Sequence, residues 1–503
     1  VTSRYEPAPG AFIPRATSSG RESVALPIVV SARRCGRATP PPRAPSAWML
    51  VALCLGGALV TFDNTVVTVG LPQLQERLGI TAGLGPWIVD AYVLACTVLL
   101  LTGGALADRW GARRMYLNGT WLIAAGSALC AVADSAGLII AGRVLQGVGA
   151  AAVMPGSLSL LKAGYADGRR RARALVIWTT VGSTAAVAGL VVSGVLVSAF
   201  GWRSLFWANL ALALGTVILS RRCLRETLTV HNSLNLLSQT VFLAALTAFV
   251  AGVIQWGAVP DSAAGPVLIA VGVLLAIAFV AVERRYPNPA LQLSLLRHPQ
   301  ARATAVVAFV VNFGFYGQLF LLAGFLQRVA GFSPWQTSLV ITVEAAGAVL
   351  GAPCGSWIAQ RSSTNAAMLT GLLVIAGALL FMAAGVWSHA LWLVAGTSFL
   401  VGLGVDIAIT SATAGLLRVA AAGHTGAASA LLTMARQLGS VIGVAVLGVA
   451  GTAGTSAAGF CRALIIAALG CAGAALLVRR ARGARPAPVR QPVHDLRKAQ
   501  GAK

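Results

Sequence analysis

Four acids lie inside long apolar runs of this chain, where a carboxylate needs a reason to be: Asp63, Asp90, Glu344 and Asp406. A charged side chain at the centre of a bilayer-spanning helix costs about 2.5–3.5 kcal/mol, so such groups face the interior of a bundle or a water-filled cavity. That cost is close to the roughly 4 kcal/mol separating an ordinary aspartic acid from one that titrates near neutrality. A group neutral in one state and ionised in another exchanges a proton for a cation, and Asp63 is the prime candidate for that chemistry. The bland alternative is a carboxylate satisfied by Asn64, Thr65 or a neighbouring helix. Asp90 could act beside Asp63 or be a solvated helix-end residue. Asp406 and Glu344 could add a proton site, recognise a cation or pair with a buried arginine. Arg143 is followed one helical turn later by Gln146; the alternative for Arg143 is a helix-end arginine snorkelling to the interface.

Phe313, Tyr316 and Phe320 recur at helical spacing on one face, with Asn312 and Gln318 nearby. Such a face attracts lipophilic cations through apolar contact and cation–π attraction, although aromatic stripes are more often packing. With Asn64, Gln146 and Glu344, these aromatics form the candidate binding set. A second constellation is the charged stretch Gly104–Arg114, wedged between apolar runs at 87–107 and 115–133. Asp108 could pair with Arg109 or Arg113, and Gly111 permits a tight turn, so Gly104, Asp108, Arg109, Gly111 and Arg113 are candidate gating residues.

The elements that must position these groups are membrane helices. Hydrophobic residues make up 57% of the 503 residues and charged residues 10%, with a mean hydropathy of +0.80. That composition excludes a soluble globular protein. Fourteen apolar spans run from 47 to 478, many near the about 20 residues that cross a ~30 Å hydrocarbon core. The net charge of +24 would suggest nucleic acid in a soluble domain. Here the basic residues fall in the tails and in alternate short loops, as the positive-inside rule requires, so both termini are assigned to the cytoplasm and nucleic acid is not an expected partner. Trp87, Trp202, Trp256, Trp335 and Trp392 lie near span ends, as interfacial aromatics do.

Residues 1–46 are rich in Pro, Ser and Arg without periodicity and read as a disordered basic tail; they lack the pattern of a signal peptide. Met49, just before the first span, offers an alternative start. Lysine occurs only at 162, 498 and 503 against abundant Arg, Ala and Gly, the composition of a GC-rich bacterial genome. The eight cysteines are scattered, with no CxxC pair or metal-ligand spacing. No nucleophile–base pair or phosphate loop stands out; neither an enzymatic function nor a cofactor is expected.

A weak internal repeat links Gly104-Ala-Leu-Ala-Asp108-Arg109, closing the second span, to Gly355-Ser-Trp-Ile-Ala-Gln360-Arg361, closing the tenth. Parallel repeats of this kind build transporters that rock two halves about a midplane site. Six motifs in order then carry a resemblance: Phe62-Asp63-Asn64-Thr65…Pro72, Trp87-Ile-Val-Asp90-Ala-Tyr92 with the charged turn, Arg143-Val-Leu-Gln146-Gly147-Val-Gly149, Glu283-Arg284-Arg285…Pro289, Leu326-Gln327…Ser333-Pro334 and Arg436-Gln437-Leu438-Gly439…Gly443. From 47 to 478 the chain resembles the fourteen-helix drug:proton antiporters of the major facilitator superfamily. One departure stands out: Gly189-Leu190 replaces the Gly-Pro of the family's antiporter motif, where the proline would bend the helix.

The resemblance implies an all-α membrane protein with two six-helix halves, 47–220 and 301–478. Two additional helices and linkers fill 221–300, and a basic cytoplasmic tail follows from 479. It implies a multi-pass protein of the bacterial inner membrane, monomeric, that exports lipophilic or cationic drugs against protons by alternating access. Asp63, Asp90, Arg143 and Asp406 would be the proton-coupling residues, with Arg143 in the relay motif. The alternatives are an exporter of an endogenous natural product, not necessarily proton-coupled, and a non-transporting membrane sensor.

Overall fold

The computed structural model describes residues 47–80, 84–165, 167–226, 236–285, 293–419, 425–451 and 456–481. The basic tails and Asp108's side chain lie outside them. Fourteen α-helices account for nearly all of these residues: α1 (Ala47–Arg77), α2 (Gly85–Trp110), α3 (Ala112–Ala131), α4 (Ala136–Gly164), α5 (Gly168–Phe200), α6 (Arg203–Cys223), α7 (Leu236–Ala258), α8 (Ala264–Arg285), α9 (Pro299–Arg328), α10 (Pro334–Arg361), α11 (Thr364–Trp387), α12 (Leu391–Val419), α13 (Thr425–Ala450) and α14 (Ala457–Ala481). Twelve are long and apolar enough to cross a membrane; α2 holds a shorter apolar stretch, Gly85–Leu100, and α3 begins with two arginines. Among the described residues twelve spans thus meet the hydropathy of a membrane crossing, and the fourteen helices are consistent with the fourteen spans expected from the sequence.

Local chemistry explains where the helices stop. Ser333 and Gln336 form a reciprocal capping box at the start of α10, with Pro334 in the first turn. Asp167 accepts from the amides of Arg169 and Arg170 at the start of α5, and Ser363 caps α11 through Ala366 at 3.0 Å. The charged stretch at 104–114 is helix rather than loop. α2 runs through Arg109 to Trp110, and only Gly111, at φ +98°, separates it from α3. Arg109 in the last turn favours the helix continuing there, because a cation complements the C-terminal dipole.

The packing of α1–α6 is repeated by α9–α14. In the first set α3 packs on α4, α2 on α4, α1 on α5 and α3 on α6. In the second, α11 packs on α12, α10 on α12, α9 on α13 and α11 on α14. Small residues permit both. Gly119 of α3 meets Gly149 of α4, where an added Cβ would lie 2.6 Å from the facing carbonyl oxygen. Gly371 of α11 meets Gly404 of α12 at 2.7 Å by the same measure. With no hydrophobic driving force between helices in lipid, close backbone approach supplies the packing.

α7 stands between the sets, accepting a hydrogen bond at Gln239 Oε1 from the Thr102 hydroxyl of α2 and seating Gly257 against Val449 of α13. α8 packs on α7 and exposes Val267, Leu274 and Ile277. Such apolar exposure suits a lipid-facing surface and not water. Trp256 and Trp392 are exposed as interfacial aromatics should be, whereas Trp202 is buried against Phe206 with Arg203 stacked on it.

The two sets meet toward the end of the bundle remote from the described chain ends. Gln327 of α9 donates to the Val69 carbonyl of α1 at 3.0 Å, and Arg328 hydrogen-bonds Gln75. Gly194 of α5 lies against Ser338 of α10.

Candidate functional site

Asp63 sits in the middle of α1 with no exposure, and Arg143, on α4, is equally buried. Their side chains form an ion pair, Arg143 Nη1 to Asp63 Oδ1 at 3.1 Å. The same oxygen accepts from Gln146 Nε2 at 2.9 Å and from Asn209 Nδ2 of α6 at 2.8 Å. Ser127 of α3 accepts from both amides, at 2.8 and 2.9 Å, and donates its own hydrogen bond to the Ile123 carbonyl. Arg143 also donates to the Ile88 carbonyl of α2 and lies 4.4 Å above the Tyr92 ring. The cluster around this carboxylate thus ties together α1, α2, α3, α4 and α6.

Most of the set is paired, and three atoms are not. Asp63 Oδ2, Arg143 Nη2 and Asn209 Oδ1 have no hydrogen-bond partner among the described residues. A buried ion pair without full satisfaction is poor at stabilising and well suited to switching, since removing either charge strands the other at a cost of about 3–5 kcal/mol.

Beside this cluster lies a narrow cavity between the two helix sets. Asn64, Thr65 and Thr68 of α1, Asp90 of α2, Tyr316 and Phe320 of α9 and Ser440 of α13 are among its walls. Asp63 and Asn64 are consecutive, so the helical turn of about 100° per residue sends one into the six-helix set and the other to the cavity. Asn64 lies beside the Tyr316 hydroxyl. Asp90 is fully buried with both carboxylate oxygens unpartnered among the described residues, and so is no solvated helix-end group. It faces the cavity rather than joining Asp63.

Several sequence expectations are redrawn by this geometry. Gln146, expected to bind substrate, is buried in the Asp63 cluster. Phe313 stacks on Phe309, 6.2 Å between ring centroids, while Tyr316 and Phe320 reach the cavity. Glu344 is buried beside Gln318, away from the cavity wall. Arg143 does not snorkel. Asp406 of α12 lies within electrostatic reach of Arg436 of α13. Arg113 reaches across to the end of α6, donating from Nε to the Leu224 carbonyl at 2.8 Å and from Nη2 to the Arg221 carbonyl at 3.2 Å. Its backbone amide donates to Glu226. Asn209, Ser127 and Tyr92 were not singled out as site residues. Asn209 had a readable signal, a lone amide within the apolar α6.

Two matched six-helix sets around a cavity, with a buried ion pair at its edge, define a multi-pass membrane protein of transporter architecture. A family model described as the Major Facilitator Superfamily matches residues 53–444 and 304–500, and the chain belongs to that superfamily. It is 32% identical over 409 residues to the methylenomycin A resistance protein of Bacillus subtilis (strain 168), covering 80% of this chain and 86% of that one. It is 34% identical over 411 residues to the protein of the same name from Streptomyces coelicolor, with the same coverage. The multidrug efflux pump LfrA of Mycolicibacterium smegmatis is 31% identical, covering 81% of each chain. The fold matches a crystal structure of the peptide transporter POT in complex with sulfate, with a TM-score of 0.64 at 18% identity, over 86% of this chain and 95% of that one.

Proposed function

We propose that this protein exports lipophilic small molecules across the bacterial plasma membrane by alternating access, driven by protons, with both termini in the cytoplasm. The adjacency of Asp63 and Asn64 carries the reading. A proton taken up at Asp63 acts on the Arg143 ion pair, while the next residue on the same helix faces the cavity. Neutralising Asp63 removes the counter-charge of a buried guanidinium, a penalty of about 3–5 kcal/mol. Moving a two-state equilibrium from 1:99 to 99:1 takes about 5.5 kcal/mol, so one proton supplies most of a full switch. With the sets joined at the end remote from the termini, the conformation described is the inward-facing one. Substrate enters beside Tyr316 and Phe320, and opening of the Gln327–Val69 and Arg328–Gln75 contacts releases it outside.

The relatives named as resistance and efflux proteins support this reading, since they cover four-fifths of the chain. A susceptibility panel in a host lacking its major pumps, with Asp63→Asn as control, tests it. Wild type alone should raise inhibitory concentrations; equal protection by both removes Asp63 from coupling, and protection by neither removes export. A second reading, export of an endogenous natural product, is favoured by a relative named the cephamycin export protein CmcT, from Amycolatopsis lactamdurans, 31% identical over 85% of this chain.

A further inference from the structure

One helix face carries chemistry that the efflux reading leaves unused. Along α13, polar side chains recur at Thr433, Arg436, Gln437 and Ser440, the i, i+3, i+4, i+7 spacing of a single face. Ser440 lines the inter-set cavity, and Gln437 reaches Thr97 of α2 at 3.4 Å. The face therefore looks across at the first helix set and not at lipid. Exposure rises along it toward the start of α13: Ser440 is buried, whereas Arg436 and Thr433 are exposed. Arg436 stands one turn from Ser440, which lines the cavity.

An arginine halfway along an apolar helix is costly unless it has a function or a close partner. Its ionisable neighbours are the Asp406 carboxyl and the neutral Tyr316 hydroxyl, both within electrostatic reach. Yet no carboxylate lies within salt-bridge distance of it among the described residues, where Arg143 has Asp63 at 3.1 Å. The exposed guanidinium fork, on the helix face that lines the cavity one turn further on, has no carboxylate in direct contact among the described residues, which is the arrangement that takes a carboxylate in paired hydrogen bonds.

We propose that Arg436 is an anion-recognition residue that takes the carboxylate of an amphipathic cargo, an assignment that rests on the efflux reading of the same cavity. Tyr316 and Phe320 receive the apolar part of that cargo. Asp90, deeper in the cavity, offers a carboxylate no counter-charge, which leaves Arg436 to fix which end of the cargo points toward it. This extends the substrate class from the cations suggested by the sequence to lipophilic acids and zwitterions.

The test is binding to the purified full-length protein of three probes sharing one fluorophore: dansylglycine, a carboxylate; dansylamide, neutral; and dansylcadaverine, a cation. Wild type should bind dansylglycine at least about tenfold tighter than dansylamide, the range of a charge-assisted hydrogen bond. Arg436→Gln should erase that preference and leave dansylamide unchanged, and Arg436→Lys should keep part of it. Equal affinity of wild type for dansylglycine and dansylamide overturns the proposal, as does failure to bind any probe. An equal loss of all three probes in Arg436→Gln also overturns it, leaving Arg436 as Asp406's counter-charge. The wild-type ranking decides even if the glutamine variant fails to fold. Because binding requires neither a gradient nor transport, failure here is distinct from failure of the efflux reading, which the susceptibility panel reads.

Discussion

Asp63 and Arg143 lie 80 residues apart in sequence and 3.1 Å apart in space, each fully buried, each on a different helix of the first six. The pair is the one close contact between opposite charges that the described membrane-spanning residues bury completely. Its consequences are open to measurement.

Breaking the pair from one side should cost more than removing it whole. Arg143→Met or Asp63→Leu alone leaves an uncompensated buried charge, an expected loss of about 3–5 kcal/mol. The double variant should recover most of that loss while losing proton-driven transport. Thermal unfolding in detergent of the two single variants and the double checks the coupling; additive losses would refute it.

Coupling through one proton at Asp63 also constrains the driving force. One proton exchanged for one monovalent cation moves no net charge and runs on the pH gradient alone. Export of a neutral molecule by the same exchange moves one charge and gains about 2.3 kcal/mol per 100 mV. Everted vesicles with the pH gradient collapsed and the potential kept should therefore concentrate neutral probes and not monovalent cations.

The far-end contacts should hold one conformation. Cysteines replacing Gln75 and Arg328, with Cys223 and Cys354 changed to Ser, should be joined by a short bifunctional thiol reagent. The joined protein should stop transporting and still bind substrate from the cytoplasmic side. Full activity after complete cross-linking would show that these contacts do not open in the cycle.

The Gly119–Gly149 and Gly371–Gly404 contacts should tolerate no side chain. Gly149→Val forces α3 from α4, and Gly404→Val forces α11 from α12. Each should cost about 1–3 kcal/mol by overpacking, visible as lowered melting temperature. Gly377→Ala, where an added Cβ meets nothing within 4 Å, should leave stability unchanged.

Arg113 should matter to the turnover rate rather than to affinity. Arg113→Lys keeps the charge but cannot serve the Leu224 and Arg221 carbonyls with a planar fork. Initial-rate transport should show a lowered kcat with KM little changed. A raised KM at constant kcat would place Arg113 in substrate binding instead.

The sequence by itself determined the class. Long apolar runs leave the backbone no option in lipid but the helix, and an acid inside such a run announces a site before any partner is known. Asp63, the glycine at 111 and the alternation of basic loops were legible because each obeys a local rule. The partners were not. Gln146 reads equally well as a cavity residue or a cluster residue, and only the rotation of α4 against α1 turns it to Asp63. Asn209 comes to the same carboxylate, and Ser127 to the two amides that hold it, from helices far along the chain, and Phe313 is separated from Tyr316 in role by packing on Phe309. Tertiary structure alone decided that Asp63 faces inward with an arginine while Asp90 faces the cavity with none. Sequence sets the energetic demand of each buried charge, but which helix meets it depends on how the helices pack, and the spacing of residues along the chain does not contain that information.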